Sequence, residues 1–345
     1  MPDAAGVVIG VYSPEESEEA LALERLCVQG ISYRLSFRRS TFHRRAENFP
    51  EWRIFTARFE GRLVGVAAGA VKEVLLHGQP TRASFFFDLR VHPAFRGRGI
   101  ARRLAVEAKA WGRARASFSY TYTLADNRVA RHLAEVFGGV AAGGYAYLVY
   151  PVYRVHPSRD HAAPGGFREV HDAMLAASGP LDLYADPQCA PGRGGYVASW
   201  MLRRGKDLAG CSAWSNRGIL GEVVESIPLP LRLASRLAAT WPLRRASWPH
   251  FPAPGEELRS WYLFDFFATH PSLARDLMRQ VAGKARDYGI DYCYLPHDSR
   301  DRWLGAVRSD LPRLFGPIIP YRLLVGGGAA EARPLDRTYV DVRDL

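Results

Sequence analysis

The residues with the clearest chemical potential in this chain are Arg96-Gly97-Arg98-Gly99-Ile100-Ala101. Before them lies the apolar run FFFDLRV, which reads as a buried strand and stops at His92-Pro93. After them, Ile100, Leu104, Ala105, Ala108 and Trp111 recur at helical spacing. The order is therefore strand, glycine-rich turn, helix N-terminus. Glycines let the backbone turn tightly and come close to a ligand. The first helical N–H groups have no acceptor of their own, and the helix dipole places positive charge beside them. With two arginines in the turn, that spot suits a phosphate or pyrophosphate.

Two familiar phosphate loops do not fit. A Walker loop needs a Lys-Ser/Thr pair after its glycines, and none follows Gly99. The dinucleotide fingerprint needs a third glycine where Arg102 stands. The run does fit Arg/Gln-x-x-Gly-x-Gly/Ala, with Val91-x-Pro93 ahead of it. In that form it resembles motif A of the GNAT acyltransferase superfamily, which holds the pyrophosphate of acetyl-CoA. The resemblance implies that Arg96, Gly97, Arg98, Gly99, Ile100 and Ala101 cradle the pyrophosphate. It also implies that Leu89, Arg90 and Val91 line the thioester. Asn127, in Asn127-x-x-Ala130-x-x-Leu133, matches a residue that contacts the pantetheine arm in similar proteins, and it also reads as a helix N-cap.

The implied reaction is direct transfer of an acetyl or other short acyl group from acyl-CoA to an amine, by family habit on a small molecule. Asp88, three residues before Val91, is the candidate base if it faces the cleft and a structural carboxylate if it faces an arginine. The tyrosine that such proteins use to protonate the departing thiolate is missing, because position 134 is alanine. Tyr145, Tyr147, Tyr120 and Tyr122 are the candidate replacements, with solvent the other source of the proton, whereas His132 projects to another side of its helix. Two rival readings accompany this one. One is a non-catalytic CoA-binding scaffold. The other is an acyltransferase using a longer chain, an acyl carrier protein or a nucleic-acid-linked acceptor.

Composition sets the class. At 345 residues the chain accommodates two domains with their own cores. No apolar run has the length of a membrane span and no signal peptide opens the sequence, so a cytoplasmic protein is expected. The four cysteines, Cys27, Cys189, Cys211 and Cys293, form no C-x-x-C pair, which argues against a zinc site and fits a reducing compartment. No metal is expected. The net charge of +11 comes mostly from arginine, and without a nucleic-acid-binding motif it suits an anionic CoA ligand better than DNA or RNA.

These residues need a scaffold. A first strand over VVIGVYS precedes a helix capped by Ser13-Pro14-Glu15-Glu16. A basic helical stretch is expected over Arg34–Glu47, with Tyr33, Phe37, Phe42 and His43 either shaping the acceptor pocket or packing on the sheet. Ile54–Phe59 and Leu63–Val71 form a hairpin through Glu60-Gly61. SFSYTYTLA is the next strand, Arg128–Phe137 a helix, and YAYLVY a closing strand.

The second half echoes the first. Phe87-Asp88 then His92-Pro93 is answered by Phe264-Asp265 then His270-Pro271, and YAYLVY by YRLLVG. We therefore expect an α/β (α+β) protein of two tandem GNAT-like domains, each a mixed, mostly antiparallel sheet flanked by helices. The first, catalytic domain spans 1–155, a linker 156–166 and a degenerate domain 167–345. The glycine turn is absent after His270-Pro271, so one CoA site per chain is expected. The second repeat then completes the sheet, frames the acceptor pocket or forms a homodimer surface. An insertion at 226–257, with a basic helix expected over Leu231–Thr240, separates the repeats' matched strands.

Overall fold

The computed structural model describes residues 6–30, 33–152, 162–185, 194–229, 232–233, 250, 252–298, 301–311, 316–327, 335 and 337–344. Strand β1 (Val7–Val11) and helix α1 (Ser17–Leu26) open the chain. Strand β2 (Arg34–Arg38) follows, then β3 (Glu51–Phe59), β4 (Arg62–Leu76) and β5 (Gln79–Val91). Helix α2 (Ile100–Arg113), strand β6 (Phe118–Leu124), helix α3 (Arg128–Val136) and strand β7 (Val140–Pro151) end the first half. The second half contains β8 (Ala163–Gly165), α4 (Phe167–Ser178), β9 (Tyr196–Arg204), β10 (Asp207–Trp214) and β11 (Gly221–Ser226). It continues with β12 (Ser260–Ala268), α5 (Pro271–Asp287), β13 (Tyr292–His297), α6 (Leu304–Arg308) and β14 (Ile318–Gly326). Of the expected helix over Leu231–Thr240, all but residues 232 and 233 lies outside the described residues.

Twelve strands make one sheet in the order β1-β3-β4-β5-β6-β14-β7-β13-β12-β10-β9-β8. The ladders are antiparallel except where β5 meets β6 and β12 meets β13, each for three residue pairs. The two repeats show the same plan, β4-β5-β6 in one and β10-β12-β13 in the other. They also trade closing strands: β14 lies between β6 and β7, and β7 pairs with β13. The sequence expectation that YAYLVY closes the first sheet is thus corrected, because that segment meets β13 and β14 rather than β6.

Helix α2 buries Ile100, Leu104, Ala108 and Trp111 against Val64, Ala67 and Val71 of β4. Burial of each large apolar side chain stabilises by about 1.5–3 kcal/mol. The close approach depends on Gly65 and Gly69, where an added methyl would lie 3.0 Å from Ile100 and Leu104 and 3.2 Å from Trp111. Helix α5 does the same in the second half through Leu273, Leu277, Val281 and Ala285. His92 and His270 cap the helical turns after them in the same way, each accepting a backbone N–H at 3.2 Å, from Ala94 and from Ser272.

The expected helix over Arg34–Glu47 is also corrected. Arg34–Arg38 is a strand, followed by two single 3-10 turns at Phe42–Arg44 and Ala46–Asn48. The reason is tertiary: β2 pairs with β11, with Leu35 opposite Val224 and Phe37 opposite Glu222, and that partner comes from the other half of the chain. Backbone groups of an otherwise marginal helix are satisfied across this two-stranded ribbon instead.

Candidate active site

Strand β5 is bulged where its chemistry begins. Val66 pairs with Arg90 and Ala68 with Phe87, so Asp88 and Leu89 together face Ala67. Asp88 takes a left-handed conformation, φ +52°. The second repeat repeats the device: Gly210 pairs with Phe267 and Ser212 with Phe264, and Asp265 has φ +51°. The Phe-Asp echo in the sequence therefore encodes a bulge in each half. Beyond Phe85, β5 and β6 part, since their parallel ladder covers only Ala83 to Phe85. This leaves one edge of Phe86–Val91 without a strand partner among the described residues.

At the end of that strand the glycine turn is open to solvent. Gly97 and Gly99 have φ +76° and +79°, and a methyl on either would meet no protein atom within 4 Å. Glycine is thus needed here for backbone conformation, and no other part of the described chain occupies the space beside it. The helical ladder starts with Arg103 N–H donating to Gly99 O, at 3.1 Å, so the N–H groups of residues 100–102 precede it. The Arg96 Nε donates to the Val91 carbonyl at 3.2 Å, and the Arg98 guanidinium lies 5.0 Å from the Phe95 ring centroid. Ile100 contributes backbone only, because its side chain is core. Burial first, and then the nearby Arg62 and Arg96, lower the His92 pKa. A pyrophosphate fits such a turn.

Asp88 is reassigned. Its Oδ2 accepts from Arg39 Nη1 and its Oδ1 from Arg45 Nη1, both at 2.8 Å, with Arg90 Nη2 at 3.7 Å. Arg39 also binds the buried Glu24, through Nε at 2.8 Å. Burial alone would raise the Asp88 carboxyl, but the Arg39, Arg45 and Arg90 cations outweigh it and hold the carboxyl well below the usual range. An anion bonded to two guanidiniums has little tendency to take an amine proton. Asp88 fixes the bulge instead. The Arg90 side chain belongs to this cluster and lies over the Phe37 ring at 5.4 Å, so only its backbone is left at the open strand edge.

The candidate acids separate by position. Tyr145 and Tyr147 sit on β7, two strands beyond β6, and burial among other tyrosines pushes both hydroxyls far up. At about 4.8 Å per strand they stand roughly 14 Å from β5, too far to reach a thiolate held at its edge. The Tyr120 hydroxyl donates to Asp344 at 2.8 Å. Tyr122 lies on β6, beside β5, with a buried hydroxyl that has no partner among the described residues and that burial likewise pushes up. Asn127 caps α3, its Oδ1 accepting from Ala130 N–H at 3.1 Å. Phe42 and His43 are packing residues: Phe42 is buried under Arg39, and His43 stacks on Trp52 while bonded to Tyr12 at 2.9 Å.

Sequence reasoning missed the C-terminal segment. Tyr339 donates to Asp265 at 2.8 Å, Asp341 and Asp344 hold the buried Lys72 at 2.7 and 2.6 Å, and the Asp344 carbonyl accepts from Arg45 at 2.7 Å. This segment links the two bulges. Asp265 is further engaged by His171 at 2.8 Å, which in turn bonds Tyr184. No local pattern announces any of these partners, since they lie 94 to 299 positions away except for Tyr339, at 74, and the His171–Tyr184 pair.

A bulged strand, a splayed parallel pair and a glycine turn opening a helix follow one another along β5 and α2. Residues 21–138, a stretch from α1 to the end of α3, match the Acetyltransferase (GNAT) family. The whole fold is similar to Saccharomyces cerevisiae N-myristoyltransferase solved with bound myristoyl-CoA, with a TM-score of 0.60 and 9% identity over 99% of this chain and 91% of that one. It is also similar to a putative acetyltransferase from Pyrococcus horikoshii, with a TM-score of 0.52 and 12% identity over 99% and 96%. At these identities the likeness is one of fold. No curated protein matches the sequence. Among the described residues no helix is long and apolar enough to cross a membrane.

Proposed function

We propose that this chain is an N-acyltransferase that moves a short acyl group, acetyl by default, from acyl-CoA directly to an amine of a small molecule. The observation that carries the reading is the continuous path from the Asp88–Leu89 bulge along Leu89–Val91 to the Arg96–Ala101 turn. The turn would hold the pyrophosphate and the free strand edge the pantetheine arm, with a backbone N–H near Val91 polarising the thioester carbonyl. The acceptor nitrogen attacks that carbon, the C–N bond forms, the C–S bond breaks, the departing thiolate takes a proton from a tyrosine hydroxyl, and the proton shed by the nitrogen restores that hydroxyl. Tyr122 is the proton donor in this scheme. Asp88 has no place in proton transfer, so the amine arrives already neutral.

A short acyl group is supported by Phe49, Phe85 and Phe87, whose rings pack 5.1 to 5.8 Å apart directly behind the strand. One observation favours a longer chain as the second reading, the whole-chain fold likeness to an enzyme solved with myristoyl-CoA. The second repeat would bind no CoA, because α5 begins at once after His270 and its bulge is filled by Tyr339 and His171. Calorimetric titration with acetyl-CoA, octanoyl-CoA, myristoyl-CoA and free CoA tests this. One saturable site per chain with acetyl-CoA at least as tight as the others is expected; no binding of any of them refutes the reading.

A further inference from the structure

A row of tyrosines runs away from the cleft on one face of the sheet. Tyr122 meets Tyr145 at 5.0 Å between ring centroids, Tyr145 meets Tyr147 at 5.3 Å, and Tyr147 meets Tyr262 and Tyr294 edge-on at 5.8 and 5.9 Å. Tyr262 and Tyr294 stack at 4.7 Å. The β2–β11 ribbon bridges the ends of this row. Its Phe37 lies under Arg90 of the thioester strand, and Glu222, paired across from Phe37, reaches the far end, where Tyr294 donates to its Oε2 at 3.3 Å.

Glu222 is an anion in search of a cation. No ion pair reaches it among the described residues, although Arg39, Arg45, Arg90 and Lys72 all find carboxylates elsewhere. Tyr33, Tyr262, Tyr294 and Tyr321 surround it, and part of the residue still meets solvent. Aromatic faces and a carboxylate together attract an ammonium group far more strongly than either does alone, since ring quadrupole and full charge act in one desolvated place. Burial among these rings raises the Glu222 carboxyl to about 7, as expected where the countercharge is supplied from outside.

We propose that Glu222 with Tyr262 and Tyr294 forms an ammonium-binding subsite, selecting elongated acceptors that carry a second cationic amine remote from the one acylated. The inference rests on the acyltransferase reading for the role of that amine as acceptor. The subsite lies several strands from β5, so the group bound there is not the nucleophile. A polyamine has the required chemistry, one end neutral at the thioester and another charged at Glu222.

Spermine is the probe. Calorimetric titration of the full chain, without acyl-CoA, should show saturable binding that Glu222→Gln weakens at least tenfold, while Tyr294→Phe, which keeps the ring, weakens it less. In transfer assays with acetyl-CoA, the preference in kcat/KM for spermine over hexylamine should fall at least tenfold in Glu222→Gln. Absence of spermine binding, or equal binding by wild type and Glu222→Gln, overturns the subsite. Glu222-dependent spermine binding by a protein that transfers to neither amine would leave the subsite standing and sink the acyltransferase reading.

Discussion

Replacing Asp88 by Asn separates a catalytic base from a structural anion. The buried cluster holds three cations, Arg39, Arg45 and Arg90, and two anions, Glu24 and Asp88, so the substitution raises its net charge from +1 to +2. Asparagine tolerates the left-handed φ of +52° better than most residues, so the bulge itself is retained. Its amide can still accept from one guanidinium and leaves the other facing an NH2 group. Removing one partner of a buried ion pair costs about 3–5 kcal/mol. With an unfolding entropy of about 2.1 cal/mol/K per residue, that is a fall of roughly 4–7 °C in Tm for a chain of this length. Because the fold depresses the Asp88 pKa, its stabilisation is present above the ordinary aspartate pKa and is lost progressively as pH falls from that value through the much lower native one. The gap between the two proteins should therefore narrow at pH 3 and close only at still lower pH. Thermal and urea denaturation at pH 7 and pH 3 measure this directly. An Asp88→Asn protein with unchanged Tm and a kcat reduced more than a hundredfold would refute the reasoning and restore Asp88 as the base.

Gly99→Glu places bulk and negative charge at the turn and should abolish acetyl-CoA binding by calorimetry, at a stability cost of about 1–2 kcal/mol from the left-handed φ of +79°; unaltered binding in the folded variant would move the CoA site elsewhere. Tyr122→Phe should lower kcat by about ten- to a hundredfold with the acetyl-CoA Kd unchanged, whereas Tyr145→Phe and Tyr147→Phe should leave kcat within about threefold; the reverse ranking would assign the proton donor to β7. Glu222 is raised from 4.5 to about 7, so its contribution to stability is complete below pH 4.5 and is lost as pH rises through 7. Glu222→Gln should accordingly be more stable than wild type at pH 8 by about 3 kcal/mol and equal to it near pH 4. Urea midpoints that shift the other way would show that an unseen cation already pairs with Glu222.

The sequence by itself determined the parts that local chemistry fixes. The RGRGIA turn, the proline stop at His92-Pro93 and the amphipathic Ile100–Trp111 face each follow from neighbouring residues, because φ preferences, helix capping and 3.6-residue periodicity act over a few positions. The tandem plan was legible for the same reason, the two Phe-Asp bulges and their His-Pro caps being local devices used twice. Tertiary structure decided what depends on distant partners. RLSFR is a strand only because GEVVES lies beside it, and β7 and β14 are exchanged only because the two half-sheets merge into one. Asp88 reads as base or as anchor from sequence alone, and the choice belongs to Arg39 and Arg45, which approach it from 49 and 43 positions away. A carboxylate's function is set by the charges and the solvent around it, and only the folded chain brings those together.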